Sequence, residues 1–288
     1  MLHYFNPIFL DDLVLSIDNV VLDTSISKPE IRDLLDVNIS CIANGSKIEV
    51  RQWENYKPGT FRYQTSFRLD DGVSFWLGRG LNGNGILQDR CRLDWNPNKI
   101  AEDPTFGNLR DFLVRNSRGA LCRIPRFDLA IDIPVNRSDC FLVKDRRMYI
   151  ERRHGEEFTQ YLGSKSSTVG RVKLYNKSAE AGLTYPLTRL ELTLDPRLPY
   201  DQINFPTVWR LNDQQIQADG IKVTDTERFI LNSILQGCGT LNDLGRKTKR
   251  KIETLLENYA SRIAMSERSY AEILGQLNQL GGIPNEQQ

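Results

Sequence analysis

Histidine is nearly absent from this chain: its 288 residues include only His3 and His154. A Ser-His-Asp triad or a multi-histidine metal cluster would have to use one of these two, so any metal chemistry must lean on carboxylates. Cysteine is sparse and odd in number. Cys41, Cys91, Cys122, Cys140 and Cys238 are scattered, with no C-x-x-C spacing. That argues against a zinc site and reads as reduced thiols in a cytosolic protein. There is no run of about 18 apolar residues, so no membrane span is expected. The stretch MLHYFNPIFLDDLVLSIDN lacks a basic leading region and has acids inside its apolar run. It is not read as a signal peptide. Charge of one sign is not in excess either: 38 Lys+Arg stand against 37 Asp+Glu. Such a balance leaves nucleic acid open as a partner, because a binder needs a local basic surface rather than a basic total. What the chain does have is apolar residues, 40% of the total, enough for a sizeable core and too many for a disordered chain.

Most of the sequence reads as strands. DLVLSIDNVVL (12–22), KIEVRQW (47–53), TFRYQTSFRL (60–69), VSFWLG (73–78) and CRLDWN (91–96) form one group, punctuated by Gly and Asn clusters. A second group comprises IPRFDLAIDIPV (124–135), CFLVKDRRMYIE (140–151), FTQYLGS (158–164), GRVKLYNK (170–177) and LTRLELTL (187–194). Short helices are expected over Ser27–Leu35 and Pro104–Asn116, the latter with Phe106, Leu109, Phe112 and Leu113 on one face. From Thr224, which opens a capping box with Glu227, the pattern turns helical. The expected class is therefore α+β, an antiparallel-sheet body with a helical C-terminal region. The divisions are 1–85 (strand-rich N-terminal part of the body), 86–205 (its core) and 222–280 (helical, for DNA binding or dimerisation), with a linker between the last two. Two strand groups, each with a helix, suggest duplicated ferredoxin-like units.

Residues two apart on a strand share a face. Arg92 and Asp94 therefore align, as do Arg126, Asp128 and Asp132, then Arg171, Lys173, Tyr175 and Lys177, and finally Arg189 and Glu191. Each strand keeps an apolar face for packing and a face bearing both signs of charge. A solvated sheet face is the plain alternative. The chemistry available to such a face is definite. Clustered carboxylates bind a hard cation such as Mg²⁺ or Mn²⁺, and Arg and Lys hold phosphates. A tyrosine oxygen can attack phosphorus to form a covalent ester. Lys173 and Lys177, two residues either side of Tyr175, are expected to lower its pKa and hold DNA phosphate. Glu180 is open as a base or a ligand and His154 as a ligand or proton carrier. In the C-terminal region GRKTKRK (245–251) groups Arg246, Lys247, Lys249, Arg250 and Lys251. A basic helix of this kind, after a helix and a Gly-containing turn, suits duplex DNA phosphate.

The stretches RLDWNPNK (92–99), RFDLAID (126–132), YLGSKSSTVGRVKLYNKSAE (161–180) and TRLEL (188–192), in this order, resemble the trans-acting Rep family. These are replication initiation factors of rolling-circle plasmids and filamentous phages. Family members show RVEFNPNK, RLDLAFD, a YFG-S-x-x-S segment leading into IRIYNK-x-x-E, and RVEIEL. The resemblance spans roughly residues 85–195. It implies a Rep-type nicking core in which Tyr175 attacks one DNA strand and keeps the 5′ phosphate as a phosphotyrosine. It also implies an acidic site for Mg²⁺ or Mn²⁺ at Asp94, Asp128 or Asp132, and Glu191. One departure is Asp94 where relatives often carry Glu.

The activity so implied is origin-specific DNA strand nicking and rejoining that starts rolling-circle replication in the cytoplasm of a bacterial host. The implied partners are an origin hairpin, a host UvrD-like helicase and a second copy of the chain. Arg126, Arg171 and Arg189 would hold phosphates, and the Ser164-Lys165 turn would contact DNA. Tyr161 is the competing nucleophile. A conjugative relaxase with the same chemistry and a non-catalytic DNA-binding regulator are the alternative readings.

Overall fold

The computed structural model describes residues 13–26, 47–50, 61–68, 73–81, 84–100, 104–117, 122–155 and 157–281. The helix expected over Ser27–Leu35 lies outside them. The class is α+β, with a large antiparallel sheet and several helices. The chain divides into two compact units, one of residues 17–128, 195–197 and 271–288 and the other of residues 1–16, 129–194 and 198–270. This division is one of packing and runs across the sequence segments 1–85, 86–205 and 222–280. Among the described residues no helix is long and apolar enough to cross a membrane.

The first unit holds β1 (Val14–Ile26) from Ile17 onward, β2 (Lys47–Val50), β3 (Phe61–Arg68), β4 (Ser74–Leu81) and β5 (Leu87–Trp95) in the order β2-β3-β4-β5-β1. Neighbours in that order run antiparallel. Strand alternation is kept. Cys91, Leu93 and Trp95 are buried, while Arg92 and Asp94 between them are half-buried. Arg92 faces Asp23 across the β1–β5 register, and its Nε lies 2.6 Å from the Asp23 carboxylate. After the short helix α1 (Pro97–Ile100) comes α2 (Pro104–Asn116), which buries Phe106, Leu109 and Leu113 at helical spacing. Phe106 meets Trp95 with ring centroids 5.2 Å apart, so the apolar stripe packs α2 on β5. Phe112, expected on the same face, is half-buried. The following strand, β6 (Arg123–Ile133), passes from this unit to the other between Asp128 and Leu129.

In the second unit the strand order is β6-β11-β10-β9-β8, with β8 (Tyr149–His154), β9 (Glu157–Leu162), β10 (Val169–Asn176) and β11 (Thr188–Leu194). β10 buries Val172 and Leu174, and β11 buries Leu190, Leu192 and Leu194. A register shift between Val169 and Arg171 marks a bulge at Gly170, whose φ is +93°. A Cβ there would lie 2.8 Å from the Asn204 carbonyl oxygen. The other end of β10 runs directly into α3 (Lys177–Ala181), where the Asn176 side chain caps by accepting from the Ala179 N–H.

A three-stranded sheet in the order β13-β12-β7 completes this unit, with β7 (Cys140–Leu142), β12 (Val208–Leu211) and β13 (Ala260–Ile263). Helices α4 (Asp213–Ala218), α5 (Asp225–Leu235) and α6 (Arg246–Tyr259) share its core through Trp209, Leu211, Ile216, Leu231, Ile252 and Leu256. The last helix is α7 (Glu267–Gly281). The capping box at Thr224 and Glu227 is present as expected.

Two expectations are corrected. Residues 140–151 form two strands in different sheets rather than one, because Asp145 turns the chain by accepting from the Arg147 N–H at 2.8 Å. The segment read as a linker contains β12 and α4. Val208, Trp209 and Leu211 are buried there, so a short apolar run between Pro and Asn is core.

Gly170→Ala meets both a positive φ and a fixed backbone oxygen, and is expected to lower the unfolding free energy by about 1–3 kcal/mol in a denaturant titration. At Gly182, whose φ is +64°, a Cβ would meet nothing within 4 Å, and the same substitution is expected to cost only about 1 kcal/mol.

Candidate functional site

The register of β10 and β11 builds the site in the second unit. Lys173 stands directly across from Glu191, and Tyr175 across from Arg189. Cross-strand partners are near enough for side chains of one face to meet. The Tyr175 hydroxyl donates to Glu191 Oε1 at 2.6 Å. Lys173 Nζ donates to the same carboxylate at 3.2 and 3.1 Å. That ammonium also sits 3.8 Å from the centroid of the Tyr175 ring, a cation–π contact. Tyr175 is 6% exposed. Arg189 turns to Asp132 on β6 and binds it through two nitrogens at 2.6 and 2.8 Å.

Tyr175 is held as a neutral phenol. Burial pushes its pKa far above the ordinary value, and the charge and hydrogen bond of Glu191 push it the same way; Arg189 opposes them. The sequence-based expectation was that Lys173 and Lys177 would lower this pKa, and the direction is the opposite. Each lysine has a carboxylate of its own: Lys173 pairs with Glu191 and Lys177 with Glu180. Burial works to raise the Glu180 carboxyl, but the hydrogen bond and charge of Lys177, with the charges of Lys173 and Arg189, together outweigh it and hold the group below the usual range. Chemically, a neutral hydroxyl bonded to a carboxylate is an arrangement for proton transfer, with Glu191 as the acceptor.

Of the four expected metal ligands, Asp132 and Glu191 belong to this unit, and Asp94 and Asp128 to the other. In that other unit burial raises the Asp94 pKa. A hydrogen bond from Asn19 and the charges of Arg126 and Arg92 lower it, and the Asp128 charge raises it. Asp94, Asp128 and Arg126 are thus electrostatic neighbours, as strand alternation suggested. Glu191 is bound by a tyrosine and a lysine, and Asp132 by an arginine. Among the described residues no three His, Cys, Asp or Glu side chains form a group that could hold a metal. Within the second unit, the oxygens of Glu191 and Asp132 are thus engaged by Tyr175, Lys173 and Arg189.

The remaining candidates fall as follows. The Arg152 and Arg171 guanidinium carbons each lie 5.7 Å from the ring centroid of Tyr161. Ser164 and Lys165 are exposed in the turn between β9 and β10, and the Ser164 hydroxyl lies 3.3 Å from that of Ser166. His154 is exposed at the end of β8. Arg246, Lys247, Lys249, Arg250 and Lys251 occupy the first two turns of α6.

Sequence reading missed Arg137. It is 6% exposed and donates to the Cys140 carbonyl at 2.7 Å and to Gln160, while its guanidinium lies 4.2 Å from the Phe158 ring centroid. An isolated arginine after β6 offers no pattern to mark it. Asn19 beside Asp94 was missed for the same reason. The chain matches no family model, no curated protein and no solved structure.

The raised phenol pKa has a consequence for stability. Tyr175 keeps its proton in the folded chain above its ordinary pKa of 10.0, whereas the unfolded chain gives it up near that pH. Stability from this group is therefore complete below about pH 10 and is lost as pH rises beyond it. Wild type is expected to lose roughly 1 kcal/mol more per pH unit above pH 10 than Tyr175→Phe, after allowing for solvent screening. Urea midpoints from about pH 8 to pH 12 check this, and parallel curves would refute it.

Proposed function

We propose that the chain cuts one strand of DNA with Tyr175 as the nucleophile and rejoins it, as an initiator of rolling-circle replication. The observation that carries this reading is the 2.6 Å hydrogen bond from the Tyr175 hydroxyl to Glu191. A tyrosine can be made nucleophilic by a lowered pKa or by an adjacent base, and this one has the base. In the proposed step Glu191 takes the phenolic proton while the oxygen attacks phosphorus. The bond from phosphorus to the 3′ oxygen breaks, and that oxygen leaves as a hydroxyl on taking a proton. The 5′ phosphate stays on Tyr175 as an ester that retains the energy of the cut bond, so the strand can be rejoined. Lys173, beside both groups, is suited to the negative charge that develops on the phosphate oxygens. Arg171, and Lys177 once released from Glu180, would hold the neighbouring phosphates.

The resemblance to the trans-acting Rep family supports the same reading, with Tyr175 in its YNK motif and Glu191 in the TRLEL stretch. The Rep-type sheet built of duplicated ferredoxin-like units belongs to this proposal, and the matching strand orders β1-β5-β4-β3-β2 and β6-β11-β10-β9-β8 support the duplication. So do the origin hairpin, the UvrD-like helicase, the second copy and the bacterial cytoplasm. A Mg²⁺ or Mn²⁺ ion, which carboxylate oxygens would hold, belongs to the proposal as well.

Wild-type protein incubated with supercoiled plasmid bearing the cognate origin, with Mg²⁺ or Mn²⁺, is expected to yield nicked circles and a denaturant-resistant protein–DNA adduct. Tyr175→Phe should abolish both, and Glu191→Gln should slow nicking by roughly 10²–10⁴-fold. An adduct that still forms with Tyr175→Phe would sink the assignment.

A further inference from the structure

Helix α6 presents a cationic face that the nicking reading does not use. At about 100° per residue, Arg246, Lys247, Arg250 and Thr254 fall within an arc of roughly 100°. All four are exposed. Ile252, Leu255 and Leu256 point the other way, into the core shared with Trp209 and Leu211 of β12 and Leu231 and Ile234 of α5. That packing fixes which side of α6 faces outward. Gly237, at φ +77°, ends α5, and a turn capped between Thr240 and Asp243 leads the chain to α6. Two helices joined by a turn and backed by a three-stranded sheet form a firm mount.

The charges on this face differ in how they are satisfied. Lys251 is bonded to Glu227 at 2.7 Å and to the Lys222 carbonyl at 2.9 Å. Lys249 reaches Asn242 at 3.2 Å and lies 3.9 Å from Glu253. Among the described residues, Arg246, Lys247 and Arg250 make no ion pair with an acidic side chain. They surround an open hollow of about 610 Å³, which Ile221, Lys251 and Thr254 also line. Long cationic side chains left unneutralised around one hollow are suited to a polyanion.

We infer that this face of α6 binds double-stranded DNA, with Arg246, Lys247 and Arg250 on backbone phosphates and the helix against the major groove. The alternatives fit less well. Single strands are held on stacked aromatic rings, and among the described residues no aromatic side chain lines this hollow. Duplex RNA has a major groove too deep and narrow for side chains to read, whereas that of B-DNA admits a helix. The inference stands whether or not Tyr175 is a nucleophile.

The test is fluorescence anisotropy of a labelled duplex of ~20 bp, about two turns, titrated with the full chain at several salt concentrations. Wild type is expected to bind with log K falling linearly in log salt. The triple variant Arg246→Ala, Lys247→Ala, Arg250→Ala should weaken binding by roughly tenfold or more at ~0.1 M salt and make the slope shallower by roughly three. Glu257 is exposed on the same side of the helix, so Glu257→Lys should tighten binding and steepen the slope, an outcome that a damaged fold cannot produce. Duplex binding is read without any cut, whereas the nicking reading is read as an adduct on Tyr175, so failure of one is distinguishable from failure of the other. Unchanged affinity and slope in the triple variant would overturn the inference. So would single strands, duplex RNA or an acidic peptide binding as tightly as duplex DNA.

Discussion

The carboxylate of Glu191 is the acceptor on which the β10–β11 face depends. It takes a hydrogen bond from Tyr175 and an ion pair from Lys173, and it is reached by both only because the strands pair with Lys173 opposite Glu191. A slip of one residue would send every side chain of one strand to the opposite face. The apolar residues resist that slip: Val172 and Leu174 on one strand, and Leu190 and Leu192 on the other, are fully buried. Packing on one face therefore sets the polar geometry on the other. The same register places Arg189 beside Tyr175, where Arg189 and Asp132 neutralise each other at 10% and 15% side-chain exposure. Losing either partner would strand a charge in a poorly hydrated place, at a cost of several kcal/mol.

Both ends of β10 are anchored by local chemistry. Gly170 lets the strand bulge against Asn204 where no side chain would fit. Arg147 reinforces the contact by donating to the Gly170 and Asn204 carbonyls at 2.6 and 2.7 Å. At the far end Asn176 starts α3 immediately after Tyr175. A strand held at a bulge and a cap has little freedom to slide, which is what a hydrogen bond of 2.6 Å between neighbouring strands needs.

What the sequence disclosed follows from what periodicity can carry. Alternation along a strand gave the shared face of Lys173 and Tyr175, whereas Lys177, expected beside them, opens α3; i, i+3, i+4 spacing gave α2, and the capping box gave the start of α5. Alternation says nothing about which strand lies alongside, so the choice of Glu191 rather than another carboxylate as the Tyr175 partner could not be read. The pairing of Asp132 with Arg189 was hidden for the same reason. Short strands escaped because four residues give too little pattern: β12 looked like a linker between Pro206 and Asn212, although Trp209 is core. The sign of the Tyr175 shift was misjudged because alternation does not reveal burial, the largest influence, nor the carboxylates that pair with both flanking lysines.

Burial gives Tyr175 a specific character. An exposed tyrosine flanked by cations would attack as a phenolate and would be open to any passing electrophile. A buried neutral phenol is inert until its proton has somewhere to go, and here the acceptor is already in place. Lys173 holds that same carboxylate in an ion pair. A phosphate that drew Lys173 away would free Glu191 and bring a cation to the reacting group in one exchange. On the proposed nicking reading, the register that sets Lys173 and Tyr175 around one carboxylate would tie arrival of a polyanion to activation of the hydroxyl.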